Sequence, residues 1–200
     1  MFQRLLRQAP CGVVLLLLCA SPASAHHLME LFHQRQPTPL AGLLSGLGHP
    51  VLGPDHLLFL LALGLVGLKH SGRWMLLLLG VGLAASGVGV LLPGFPGAEA
   101  LVALSLVAVA LVLLDRLPPW VLVPSIALHG YVLSASVIGW ETTPLLAYLT
   151  GLLISQAVLM GLSLRLIRRW SLQARPGQLR LLAGMLLGVG AGFTWTALVP

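Results

Sequence analysis

Charged residues are scarce in this 200-residue sequence: they make up 8% of it, whereas hydrophobic residues make up 58%. A soluble globular domain carries about 25% charged residues, so the composition excludes a soluble protein and indicates one that resides in a membrane. Lys69 is the single lysine, and only five residues are acidic. No Walker A pattern is present, which excludes ATP hydrolysis of the P-loop type.

Cysteine is nearly missing as well, since Cys11 and Cys19 are the only two and both lie near the N-terminus. There, two arginines precede a short apolar core, and an Ala-Ser-Ala cleavage site ends at Ala25. This order is typical of a secretory signal peptide. We therefore predict a signal peptide at 1–25 and a membrane domain at 26–200. The mature chain then has no thiol, which excludes disulfides and thiolate metal sites. Without cleavage, the same segment is an additional N-terminal anchor.

Six apolar segments follow, each near the 20 residues that cross roughly 30 Å of hydrocarbon. They lie at about 38–68, 74–92, 98–115, 119–138, 143–166 and 179–198. The predicted fold class is all-α: a polytopic helical membrane protein with about six transmembrane helices after a cleaved signal peptide. Lysine and arginine concentrate in alternate loops, which the positive-inside rule places in the cytoplasm. The net charge of +6 thus reflects topology rather than nucleic-acid binding, and the mature N-terminus is expected outside a bacterial inner membrane.

The first apolar segment carries three ionisable side chains, His49, Asp55 and His56, within eight residues. Each such group costs roughly 2.5–3.5 kcal/mol at bilayer depth, so intramembrane ionisable residues are usually functional. Two prolines and a glycine in the same stretch break the helix and free backbone groups that lipid cannot satisfy. A broken helix with imidazole and carboxylate groups suits a divalent metal such as nickel, cobalt or zinc. The alternative is a packing kink whose polar groups satisfy one another.

Five further residues are candidate metal ligands: His26, His27, Glu99, His129 and Glu141. Signal cleavage would leave His26-His27 at the N-terminus, where the α-amine, an amide and the second imidazole form a chelate for nickel or copper(II). The alternative is a pair of histidines in a disordered tail. His129 lies in the fourth segment, where a structural hydrogen bond is the competing role. Glu99 and Glu141 lie at outer helix ends, where they either attract cations or are simply solvated.

The stretch from Ser45 to His56 resembles the His-Pro-x-x-Gly-x-Asp-His motif of the HupE/UreJ family, small bacterial membrane proteins associated with nickel supply to hydrogenase or urease. The similarity continues in the helix from Glu99 to Ser105, in His129–Tyr131 and in Gly139–Tyr148. One departure concerns positions 134–136, which hold Ser-Ala-Ser where many members have an acidic residue.

The resemblance implies a secondary or passive permease for nickel or cobalt, with a metal path through His49, Asp55 and His56. On this interpretation the protein is not an enzyme and binds no permanent cofactor, since the ion is the transported substrate. The expected partners are the metal ion, membrane lipid and metalloenzyme maturation proteins. The alternative is an accessory protein that binds metal for metalloenzyme maturation without transporting it, which the residue at Ala135 favours. An intramembrane enzyme lacks support, because no His-Glu-x-x-His motif is present.

Overall fold

The computed structural model describes residues 38–92, 94, 96–134, 137–139, 141–172 and 177–199, and every regular element in these ranges is a helix. The α-helices are α1 (Pro39–Leu52), α2 (Pro54–Val66), α3 (Gly72–Leu91), α4 (Ala98–Leu113), α5 (Leu122–Leu133), α6 (Thr142–Ser171) and α7 (Gln178–Leu198). A short 3-10 helix at Pro119–Val121 leads into α5. The predicted all-α class is confirmed, whereas the predicted signal peptide at 1–25 lies outside the described residues.

Three helices, α3, α6 and α7, are long and apolar enough to cross a membrane, and α1 with α2 add a fourth if the bent pair is one span. The helix α4 and the run Pro119–Leu133 are also apolar but shorter. With 16 residues, α4 reaches about 24 Å at 1.5 Å per residue, less than the hydrocarbon thickness. A membrane protein is confirmed at this level, and six full spans stay a prediction.

The helices α1 and α2 are separated by Gly53 alone and bend by 74° relative to each other. Pro50 lies inside α1 and has no N–H for the carbonyl four residues before it. Pro54 opens α2, at a position where the N–H has no helical partner in any case. The N–H of Gly53 donates to the carbonyl of His49 at 3.1 Å, which closes the end of α1. The break therefore lies inside the stretch that carries the ionisable side chains.

The bent pair follows α6 along most of its length. Gly42 in α1 lies against Pro144, near the start of α6. Gly64 in α2 lies against Ser163, which is about 28 Å further along α6 at 1.5 Å per residue. A re-entrant loop would return to the end at which it entered the bundle. The contacts at opposite ends of α6 therefore favour one broken span.

Glycines allow two helix pairs to approach closely. At Gly46 in α1, a Cβ atom would lie 2.1 Å from the carbonyl oxygen of Tyr148 in α6. At Gly130 in α5, a Cβ atom would lie 1.9 Å from the carbonyl oxygen of Gly82 in α3. Small residues at such crossings are what lets membrane helices meet backbone to backbone. The first crossing fixes the position of Tyr148 beside α1. The second fixes the position of His129, which precedes Gly130, beside α3.

Charged side chains mark the end of the bundle where α2 finishes. Lys69, just after α2, forms a bidentate ion pair with Asp115, just after α4, at 2.7 and 2.8 Å. Both side chains are exposed, so the pair contributes at most about 1 kcal/mol. The last turns of α6 carry Arg165, Arg168 and Arg169 at the same end, since Gly67 at the end of α2 lies against Leu164. This end is therefore strongly basic.

Replacing Gly130 by alanine is expected to destabilise the bundle, because the added methyl group would push α5 away from α3. Overpacking of this kind costs about 1–3 kcal/mol, which the melting temperature of the purified protein in detergent would reveal. The matched control is Gly161→Ala in α6, where nothing lies within 4 Å of the added atom. That variant is expected to melt at the wild-type temperature or slightly above it, since alanine favours a helix more than glycine does. Equal melting temperatures for both variants would contradict the close approach.

Candidate metal site

Three of the predicted ligands, His49, His56 and His129, form one buried group, which we call the histidine cluster. They come from α1, α2 and α5, and their exposed fractions are only 3–4%. The ring centroids of His49 and His56 are 5.9 Å apart, and those of His56 and His129 are 5.1 Å apart. The broken helix thus places two imidazoles beside a third that is 73 residues away in the sequence.

His129 is held at both of its ring nitrogens. Its Nε2 lies 2.6 Å from the hydroxyl oxygen of Ser105, and its Nδ1 lies 2.9 Å from Nδ1 of His56. The Ser105 hydroxyl donates its only proton to the carbonyl of Val102 at 2.6 Å, so it accepts from the Nε2–H of His129. The Nδ1 of His129 must then accept, and the Nδ1–H of His56 donates to it. Phe59 stacks on the His129 ring with centroids 3.9 Å apart, which fixes the ring plane.

A second hydrogen-bond chain holds His49. Its Nδ1 lies 2.8 Å from the hydroxyl oxygen of Tyr148. That hydroxyl donates to the carbonyl of Leu133, the last residue of α5. Because the Tyr148 hydroxyl donates its only proton to the carbonyl of Leu133, its oxygen accepts a hydrogen bond from the Nδ1–H of His49. The last carbonyls of a helix have no partner inside the helix, so Tyr148 also satisfies a group that lipid could not.

These two chains assign the same neutral tautomer to His49 and His56. With the proton on Nδ1, the lone pair of each ring lies on Nε2, the nitrogen that would coordinate a metal in this tautomer. Metal-ligating histidines commonly carry such an outer hydrogen bond, which orients the ring and raises its basicity. His129 differs, because its lone pair on Nδ1 accepts from His56. In this arrangement His49 and His56 would be the metal ligands, and His129 would position His56.

Asp55 is buried in the first turn of α2, with 6% of its surface exposed. Its Oδ1 accepts the backbone N–H of His56 at 2.9 Å. The preceding Gly53 has no side chain to cap α2, so Asp55 supplies an acceptor for an N–H that the helix leaves unsatisfied. A carboxylate is also favoured at this positive end of the helix dipole. Glycine fits at position 53 because a Cβ would lie 2.7 Å from the His56 ring.

The two predicted glutamates lie at the surface. Glu99, in the first turn of α4, and Glu141, just before α6, are both exposed. Glu141 is at the end of the bundle where α1 begins, as the contact of α1 with the start of α6 shows. Glu99 is at the same end, because its neighbour Ala98 packs with Val132 near the end of α5. Both glutamates therefore lie at the end of the bundle where α1 begins, away from the histidine cluster.

The remaining predicted ligands, His26 and His27, lie outside the described residues. Within the described ranges, no three histidine, cysteine, aspartate or glutamate side chains are grouped closely enough to hold a metal ion.

Ser105, Tyr148 and Gln156 are not among the predicted ligands. The first two lie inside the family-like stretches, and only the fold shows that they end the hydrogen-bond chains. Gln156 in α6 is 1% exposed, and neither its Oε1 nor its Nε2 has a hydrogen-bond partner among the described residues. An unpaired buried polar group costs roughly 1–3 kcal/mol. The available signal was a polar side chain in the middle of an apolar segment.

An all-helical bundle whose helices are apolar and long enough to cross a bilayer defines a polytopic membrane protein. A model of the family described as HupE / UreJ protein matches residues 14–193. The chain belongs to the HupE/UreJ family, which is linked to nickel or cobalt transport or to accessory functions for hydrogenase and urease, and is not known for enzymes. No curated protein and no solved structure matches the chain.

The Tyr148→Phe variant is expected to bind nickel about tenfold more weakly, because His49 loses the acceptor that holds its Nδ1–H tautomer. Equilibrium dialysis of the purified protein against radioactive nickel measures the affinity. Tyr131→Phe, which removes the hydroxyl from the only other tyrosine, is the control. A nickel affinity that stays the same in Tyr148→Phe would show that the hydroxyl does not prepare His49.

Ser105→Ala is expected to weaken nickel binding as well, by about tenfold, because His129 loses the hydroxyl that fixes its acceptor nitrogen toward His56. The matched control is Ser125→Ala, which removes a hydroxyl that donates to the carbonyl of Val121 at 2.9 Å. Both variants should lose a similar, small amount of thermal stability, but only the first should lose affinity. Equal nickel affinities in the two variants would contradict the relay through His129.

Proposed function

We propose that this protein is a secondary or passive permease that moves nickel, or cobalt, across the bacterial inner membrane. The observation that carries the proposal is the matched pair His49 and His56, two imidazoles on either side of the helix break whose lone pairs lie on Nε2. Imidazole nitrogen is a preferred ligand of nickel and related borderline metals. The link of the family to nickel and cobalt supports the same ions.

The entrance lies at the end of the bundle where α1 begins. The exposed carboxylates Glu99 and Glu141 would raise the local concentration of cations there. The N-terminal His26 and His27 would add a first binding step outside the membrane. The basic end, with the arginines of α6, is then cytoplasmic by the positive-inside rule.

At the break, His49 and His56 would replace two waters of the hydrated ion, and water would complete the shell. Two protein ligands bind an ion firmly enough to admit it and weakly enough to release it. When Nε2 of His56 carries a dication, its Nδ1–H becomes a stronger donor. The hydrogen bond to His129 then strengthens, and it spreads the charge over a second ring. Asp55, at the backbone of the same residue, supplies a negative charge beside the ion.

No ATP-binding pattern is needed for this movement. A membrane potential that is negative inside contributes about 2.3 kcal/mol per charge and per 100 mV, so about 4.6 kcal/mol for a dication. The ion therefore runs down an electrical gradient even when its concentrations on the two sides are equal. A partner that binds nickel in the cytoplasm would make the flow one-way.

The second candidate is a membrane accessory protein that holds metal for metalloenzyme maturation without transporting it. The observation that favours it is the burial of all three histidines, which closes the cluster to both sides of the bundle in this conformation. A permease must open that cluster to each side in turn, whereas a storage site need open to only one.

Cells that lack their own nickel and cobalt importers are expected to accumulate radioactive nickel when they express the wild-type protein. His49→Ala and His56→Ala are expected to lower that uptake by at least about tenfold at equal membrane abundance, because each removes one of the two ligands. His70→Ala is the control, since His70 follows α2 at the basic end and its ring contacts Trp74.

Wild-type uptake no higher than that of cells without the protein would overturn the permease proposal. If hydrogenase or urease maturation is nevertheless lost in His56→Ala, the accessory role is the better account. Cobalt uptake measured in parallel decides which of the two ions is preferred.

A further inference from the structure

Gln156 is a buried side chain whose donor and acceptor are both unpaired within the described part of the chain. It lies in α6, close to Gly82 of α3 and Ile126 of α5, and is 1% exposed. A methionine of similar size would fill this volume without burying an amide, so packing alone does not account for a glutamine. Buried polar groups without partners commonly mark a site where a water, an ion or a ligand binds.

The amide lies beside the turn of α5 that precedes His129. Its Oε1 is 3.4 Å from the point where a Cβ of Gly82 would be, and Cγ1 of Ile126 is 3.0 Å from the same point. Ile126 precedes His129 by three residues on α5, so the two share one face of that helix. Tyr148, which holds His49, lies about 12 Å before Gln156 along α6. Gln156 is therefore on the side of the cluster that leads to the basic end of the bundle.

We propose that Oε1 of Gln156 is the next ligand of the transported cation after the histidine cluster. The inference rests on the proposed permease function, because it requires an ion that leaves the cluster toward the cytoplasm. The ion passes from the Nε2 atoms of His49 and His56 to a single neutral oxygen. Ser163, seven residues further along the same face of α6, offers the next buried oxygen.

A neutral amide suits this step on chemical grounds. Nickel and cobalt prefer imidazole nitrogen to amide oxygen, so the ion is held more loosely at Gln156 than at the cluster. Conduction needs a series of binding sites that bind the ion strongly enough for it to enter and weakly enough for it to leave. A carboxylate at this position would instead attract the dication by its full charge and delay its release.

Two substitutions at Gln156 are expected to have different effects on binding and on rate. Gln156→Met removes the oxygen and should lower the maximal rate of nickel uptake by about tenfold, with little change in apparent KM, because the cluster still sets entry. Gln156→Glu should bind cobalt about tenfold more tightly in equilibrium dialysis of the purified protein, and should also lower the maximal uptake rate. Thr150→Val, which removes an exposed hydroxyl from the same helix, is the control and should leave both quantities unchanged.

If the Gln156 amide had only a structural role, the results would differ. Gln156→Met would then melt at a lower temperature in detergent and transport normally per folded molecule, whereas we expect a melting temperature equal to or above that of the wild type. Normal uptake in Gln156→Met, or unchanged cobalt affinity in Gln156→Glu, would overturn the inference. If His56→Ala loses uptake while Gln156→Met keeps it, only this inference fails. If the wild type neither binds nor transports nickel or cobalt, the proposed function fails with it.

Discussion

The positions of His49 and of the end of α5 both depend on the hydroxyl group of Tyr148. It accepts from His49 in α1 and donates to the carbonyl of Leu133 in α5, so it joins three helices in one buried chain. The chain forms because α1 touches α6 at Gly46, where any larger residue would collide with the backbone. The same hydroxyl lets α5 end among apolar side chains without an unsatisfied carbonyl. Helix packing, backbone hydrogen bonding and the tautomer of His49 are therefore coupled.

The second chain repeats this design with different residues. Ser105 accepts a hydrogen bond from His129, and His129 accepts one from His56. These directions follow because the serine hydroxyl donates its proton to the carbonyl of Val102. Both histidines of the broken helix are thus oriented by groups that lie outside the motif. The motif supplies the two imidazoles, and side chains on α4, α5 and α6 set the tautomers of their rings. For this reason the broken helix would not be a site by itself.

The features that could be predicted from the sequence are those that depend on neighbouring residues along the chain. Scarce charge predicts a membrane protein, and Pro50, Gly53 and Pro54 predict a break, because each acts on its own neighbourhood. The partner of His56 is 73 residues away, and no local pattern selects it. Likewise, hydropathy finds the apolar segment that contains α4 but does not set the length of its helix, which depends on where the chain turns. Gln156 was visible as a polar residue in an apolar run, yet its lack of a partner is a property of the packed bundle.

For the proposed permease, the balance of buried charge favours release of the ion over storage. Asp55 is the only carboxylate buried among the described residues, and the histidines around it are neutral in the assigned network. An empty cluster then carries one negative charge, and a cluster with a divalent ion carries one positive charge. The two states have charges of equal size, so desolvation favours neither of them strongly. A second buried carboxylate would make the loaded state neutral and the empty state doubly charged, which favours an ion that stays. On the proposed path, the neutral side chain of Gln156 avoids that outcome and leaves the site able to empty.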